Sequence, residues 1–254
     1  MKKLVAAGVS GLLMLGVASQ ASASFNQGDL IMSAYDTTLN TEIGVDLGSM
    51  STISADIKSG GSTTLATGLS FTGFTSSDGI GIYSDNSNPN GQSWEGWFAV
   101  KTNAYSGSSI NKYNSNASIF SNSYQTIIQG YNFAPNVTSA TTAQEAATFA
   151  DSYKMLMDFT TPAGYAGVNK TAGLQGLLPT TAGSYTDMYL YHFDSNSTNN
   201  IVLADPTYDA VIRLTSDGTV ILNPGQSNVP VPGAVWLLGS GLAGLAGIRR
   251  RKNS

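Results

Sequence analysis

Ala210-Val-Ile-Arg-Leu-Thr-Ser-Asp-Gly-Thr-Val-Ile-Leu222 sets the class of fold for this chain. Two runs rich in β-branched and aliphatic residues, Ala210–Leu214 and Thr219–Leu222, flank Thr215-Ser-Asp-Gly218. Asp-Gly accepts the positive φ that a tight turn demands, so the stretch reads as a β-hairpin. Working outward, Gly28–Tyr35, Leu65–Thr75, Gly79–Tyr83, Ser93–Lys101, Tyr124–Tyr131 and Asp187–Phe193 read as further strands between clusters of Gly, Ser, Asn and Asp. Within Ser93–Lys101, Trp94, Gly96, Phe98 and Val100 share one face, and Glu95 and Trp97 fall on the other. Many short strands without a long apolar run predict an all-β body, a β-sandwich of jelly-roll-like kind.

One amphipathic helix is expected near 142–158. Thr142-Ala-Gln-Glu145 has the spacing of a capping box, in which cap and third residue satisfy each other's exposed amides. Ala146, Phe149, Ala150, Tyr153, Leu156 and Met157 then line one helical face, and Pro162 would end the helix. Ser84–Gly91 and Ser106–Asn116 read as surface loops.

Composition narrows the function. The chain has 254 residues, no Cys, one His and a formal charge of −4. Disulfides, thiolate metal sites, cysteine nucleophiles and multi-histidine metal clusters are excluded. The charge is segregated: all sixteen acids and six of the twelve basic residues lie in 24–228, leaving that span with ten net negative charges. Such a body repels nucleic acid and anionic lipid, so no nucleic-acid partner is expected.

Both ends read as addresses. Lys2 and Lys3 precede the apolar run Leu4–Ala18, and Ala21-Ser-Ala23 supplies small residues for cleavage before Ser24. Residues 1–23 therefore read as a signal peptide, implying the Sec translocon and signal peptidase as partners. At the other end, Val229-Pro230-Val231-Pro232-Gly233 is biased toward an extended form by its prolines. Residues 234–248 carry no charge, and 249–252 are Arg249, Arg250, Arg251 and Lys252. As a helix, 234–248 would span about 22 Å and could cross a slightly thinned inner membrane, with the cations holding the cytoplasmic side.

In this order, Val229-Pro-Val-Pro-Gly233, Trp236-Leu-Leu-Gly-Ser-Gly-Leu-Ala-Gly-Leu-Ala-Gly-Ile248 and Arg249-Arg-Arg-Lys252 resemble the PEP-CTERM class of protein-sorting tails. The family's usual acid between the prolines is Val231 here. The resemblance implies recognition by an exosortase, with cleavage near Pro230 and Pro232. Three segments follow: signal peptide 1–23, β-rich extracytoplasmic domain 24–228, and sorting tail 229–254. The expected life history is export, transient inner-membrane anchoring, then release or re-attachment at the cell surface or in the extracellular matrix.

The body shows no nucleophile elbow, P-loop, zincin helix or dinucleotide fingerprint, and no cofactor is expected. A non-enzymatic surface or biofilm-matrix protein is the leading expectation. An envelope carbohydrate-binding module is the first alternative. There Trp97 would stack on a sugar face and Glu95 would take hydroxyl hydrogen bonds; equally, the indoles could be buried anchors. A secreted glycan hydrolase is the second alternative. His192 would be needed for a serine triad, but it sits in an alternating run with Met188 and Leu190 on its face and reads as a sheet residue. Asp194, Asn196, Thr198 and Asp205 echo the ligand spacing of a calcium loop, yet the glycine position is Asn199, so a polar hairpin loop is the competing reading.

Overall fold

A computed structural model of the chain describes residues 24–36, 38–86, 95–101, 103, 117–134, 136–139, 141–145, 150–151, 156, 176–195, 201–204 and 207–225. The hairpin at 210–222 forms as read. Strands β11 (Ala210–Thr215) and β12 (Val220–Leu222) pair antiparallel, with Leu214 opposite Val220. Gly218 takes φ 77° in the turn, and the Asp217 carboxylate accepts from the Thr215 hydroxyl and the Thr219 amide.

The remaining strands are β1 (Asp29–Asp36), β2 (Thr41–Ser49), β3 (Thr63–Ala66), β4 (Gly79–Asp85), β5 (Glu95–Val100), β6 (Asn136–Ser139), β7 (Thr142–Glu145), β8 (Gly176–Leu177), β9 (Tyr185–Ser195) and β10 (Ile201–Leu203). All twelve join one sheet in the order β3-β12-β11-β9-β5-β4-β1-β2-β7-β6, with β10 beside β9 and β8 beside β4. Every pairing among the described residues is antiparallel. The β-rich expectation therefore holds at the level of class, but the architecture is one curled sheet rather than two stacked ones. The curl follows from where the apolar side chains go. Val45 and Leu47 of β2 share a core with Leu214 of β11 and with Val220 and Leu222 of β12, although these strands lie far apart in the sheet order. Burying them together bends the sheet toward itself and brings β2 near β3.

Two helices whose bounds are described cover the sheet. Helix α1 (Met50–Ser59) follows β2 directly. Ser49 caps it by accepting from the Ser51 amide, and Gly60 closes it at φ 68°. Met50, Ile53 and Ile57 recur at helical spacing and pack into the concave core. Helix α2 (Ala117–Asn132) lies on the opposite face. Its Phe120, Tyr124, Ile127, Ile128 and Tyr131 meet Ile31, Tyr35, Tyr83, Phe98, Tyr191 and Phe193 from the sheet. Each such fully buried apolar side chain contributes roughly 1.5–3 kcal/mol. Central strand β1 is thus buried on both faces.

Three expectations differ from the structure. Of Leu65–Thr75 only Leu65 and Ala66 are strand, at the end of β3, and 67–75 run as turn and irregular chain. Tyr124–Tyr131 is helical: its apolar residues follow a 3.6-residue stripe, and that face seals the convex side of the sheet. Thr142–Glu145 is strand β7, pairing with Glu42–Val45 of β2, because tertiary strand pairing outweighs a local capping pattern. Of the helix expected after it, Leu156 is helical and packs against the convex core, Ala150 and Asp151 lie in a turn, and 146–149, 152–155 and 157–158 lie outside the described residues, as does the expected loop 106–116. No helix among the described residues is long and apolar enough to cross a membrane. The expected signal peptide 1–23 and transmembrane segment 234–248 lie outside that set.

A polar seam runs through the convex core. Ser33 Oγ hydrogen-bonds the hydroxyls of Tyr83 at 2.8 Å and Tyr131 at 2.6 Å, and Tyr131 also donates to the buried Glu42 Oε1 at 2.6 Å. Tyr124 donates to the carbonyl of Asp29 at 2.7 Å. Burial pushes the Tyr83 and Tyr124 phenols far up, so both stay neutral donors. Gly44 and Gly79 leave room for these rings: a Cβ would overlap Tyr131 at the first and Tyr35 at the second.

Candidate functional site

The site begins with strand register. Strand β5 pairs with β9 so that Glu95 faces Asp194 and Trp97 faces His192. Alternation then puts all four on the concave face, where Ala99 and Leu190 continue into the core. The Trp97 and His192 rings stack at 4.7 Å between centroids and 8° between planes. That contact holds the imidazole flat against the indole. His192 Nε2 lies 3.6 Å from Asp194 Oδ1, and one donor atom from each of Glu95, His192 and Asp194 falls within 4.8 Å of the others.

Helix α1 forms the opposite wall. Met50, Ser51, Ser54, Ile57 and Lys58 stand across from Asn86, Glu95, Trp97, His192 and Asp209, enclosing a cleft of about 430 Å³. Its base is apolar and its rim mixes one amine, two carboxylates, hydroxyls and an amide. Asp209 is held there by its own backbone, whose amide donates to the Leu190 carbonyl at 2.8 Å.

A second recess of about 610 Å³ lies where the curled sheet stops short of closing, between β2 and the segment from Leu65 to Phe74. Asp46 lines it, and its carboxylate accepts from the Gly48 amide at 2.8 Å. Partial burial, reinforced by nearby Asp29, pushes Asp46 up to about 6 against that hydrogen bond.

The residues named from sequence meet this geometry unevenly. Glu95 and Trp97 share one face, as expected. Trp97, however, is only 7% exposed and has a ring face taken by His192, so it is a wall of the cleft rather than an open sugar platform. His192 sits on the sheet with Met188 and Leu190, as expected. Asp194 is described, whereas Asn196, Thr198 and Asp205 lie outside the described residues. The titratable neighbours the structure gives Asp194 are Glu95 and His192, and Val202 of β10 pairs with it on its other side. Trp94 also lies outside the described residues, as do the cleavage residues Ala21 and Ala23 and the tail residues Val229, Pro230, Val231, Pro232, Gly233, Arg249, Arg250 and Arg251. Sequence reasoning missed Ser51, Ser54, Lys58 and Asp209. The signal available for the first three was the Ser49 cap, the apolar trio at 50, 53 and 57, and Gly60.

Residues 228–252 match the family model of the PEP-CTERM protein-sorting motif. The tail is a sorting signal of that class, which implies an exosortase as processing partner and an exported, membrane-associated precursor. No curated protein and no solved structure matches the chain.

Proposed function

We propose that this chain is a non-enzymatic cell-surface or exopolysaccharide-matrix protein, exported by the Sec route and processed at its tail by an exosortase. The observation that carries this reading is the sorting motif at 228–252. Supporting it are the signal-peptide pattern at 1–23 and the apolar, cation-terminated segment 234–252. The curled β-body, acidic and rich in Ser, Thr and Gly, is then the part presented outside. The test is to delete residues 229–254 and fractionate the cells. The proposal expects the membrane-associated precursor to vanish and the body to escape into the medium. Unchanged fractionation and processing would contradict it.

Glycan binding is a second reading, favoured by one observation. Ser51, Ser54, Asn86, Glu95 and Asp209 place hydroxyl, amide and carboxylate groups around one cleft with an indole wall. A glycan array tests it. Binding weakened by Asp209→Asn and Glu95→Gln supports it, and an array without signal removes it.

A further inference from the structure

Glu95 and Asp194 are directly opposed across the β5–β9 pair. Like charges in that position oppose strand pairing unless a cation lies between them. Among the described residues neither carboxylate is paired with a lysine or arginine. Beside them, one same-face step along β9, lies the imidazole of His192, the chain's single histidine. Its Nε2 is shielded from solvent and makes no hydrogen bond among the described residues. A buried imidazole nitrogen without a hydrogen-bond partner is costly. Trp97 fixes the plane of the ring by stacking on it at 4.7 Å.

A bound cation would satisfy all of these features at once. We propose that Glu95, His192 and Asp194 bind a divalent first-row transition cation of the zinc type. Imidazole nitrogen and carboxylate oxygen are the donor set such ions take, at about 2.0–2.2 Å, whereas calcium prefers oxygen alone. Tetrahedral bonding at that length needs donors about 3.3 Å apart. His192 and Asp194 already stand at 3.6 Å, and Glu95 closes from within 4.8 Å by side-chain rotation. Two carboxylates and a neutral imidazole carry charge −2, so the ion makes the site neutral. Three protein donors leave a coordination position open, and His192 and Glu95 both line the 430 Å³ cleft, so a water or an oxygen-bearing ligand can reach it. The inference does not depend on how the tail is processed.

The experiment uses the full chain, purified in detergent micelles without a polyhistidine tag. Zn2+ is titrated by calorimetry, and Co2+ is followed by its visible absorption and by the imidazole proton signals of His192. One equivalent should bind, and Co2+ should shift the imidazole signals. Affinity should fall at least about tenfold in His192→Gln and in Asp194→Asn. Asp217→Asn, at an exposed turn remote from the site, should leave it unchanged. Asp194 is half exposed, so its amide variant keeps the test open if the histidine variant folds poorly. A wild-type chain that takes up no Zn2+ or Co2+ would overturn the proposal. So would binding that survives both ligand substitutions, or that leaves the imidazole signals unmoved.

Discussion

Gly44 of β2 lies so close against the ring of Tyr131 that a β-carbon at position 44 would overlap three of its atoms. The strand is therefore joined to helix α2 by the absence of a side chain. Gly44→Ala forces the ring or the strand to move. Overpacking of this kind costs about 1–3 kcal/mol. The urea midpoint of the variant should fall accordingly, with an unchanged slope; a midpoint equal to wild type would contradict the contact.

The hydroxyl of the same tyrosine joins Ser33 to the buried Glu42 carboxyl group. Tyr131→Phe leaves both with one partner fewer. Tyr124→Phe removes hydrogen bonds only to backbone carbonyls. Bonds to carboxylates are stronger than bonds to neutral acceptors, so the first variant should lose more stability. About 1–3 kcal/mol is expected for Tyr131→Phe and about 1 kcal/mol for Tyr124→Phe. Equal losses in denaturant titrations would show that Glu42 gains nothing from Tyr131.

Asp46 gives the fold a pH dependence of known sign. Its folded pKa stands at about 6, raised chiefly by desolvation. Between the ordinary carboxylate range and pH 6 the folded state holds more protons at this site than the unfolded state. Stability from this group is therefore lost as pH rises through that window, and stays level above it. Asp46→Asn mimics the protonated form and can still accept from Gly48. The variant should gain on wild type as pH climbs from 4 to 7. A stability difference independent of pH would contradict the assignment.

Arg213 faces Asp187 across β11 and β9 in a two-bonded pair, Nε to Oδ1 at 2.7 Å and a second guanidinium nitrogen to Oδ2 at 2.8 Å. The guanidinium also lies 3.7 Å from the centre of the Tyr185 ring. Lysine can supply neither the fork nor the flat stack. Arg213→Lys should cost up to about 1 kcal/mol, since the pair is partly exposed to solvent. The loss should shrink in high salt; a salt-independent loss would place the effect elsewhere.

The strands that could be read from sequence share a cause. β1, β4, β5, β9 and the β11–β12 hairpin alternate apolar and polar residues, or end in turn residues, and those patterns are local. Helix α2 was obscured by Ser, Asn and Thr, which favour helices weakly, although Phe120, Tyr124, Ile127, Ile128 and Tyr131 already form a helical stripe. β7 was hidden for the opposite reason. Thr142-Ala-Gln-Glu145 satisfies a local helix-start pattern, and only its distant partner β2 makes it a strand. The candidate site divides in the same way. Trp97 with Glu95 on one strand, and His192 and Asp194 on another, are legible separately, but nothing local says that β5 lies beside β9. Their meeting is a property of register, and the α1 wall followed only once the curl of the sheet was in view.

Processing at both ends of the chain is reported by a single measurement, the intact mass of the native protein isolated from cells. The predicted mass lacks residues 1–23 and also everything beyond the Pro230–Pro232 region, with any addition appearing at the new carboxyl end. A freely water-soluble exported protein that still carries Arg249 to Ser254 would contradict it.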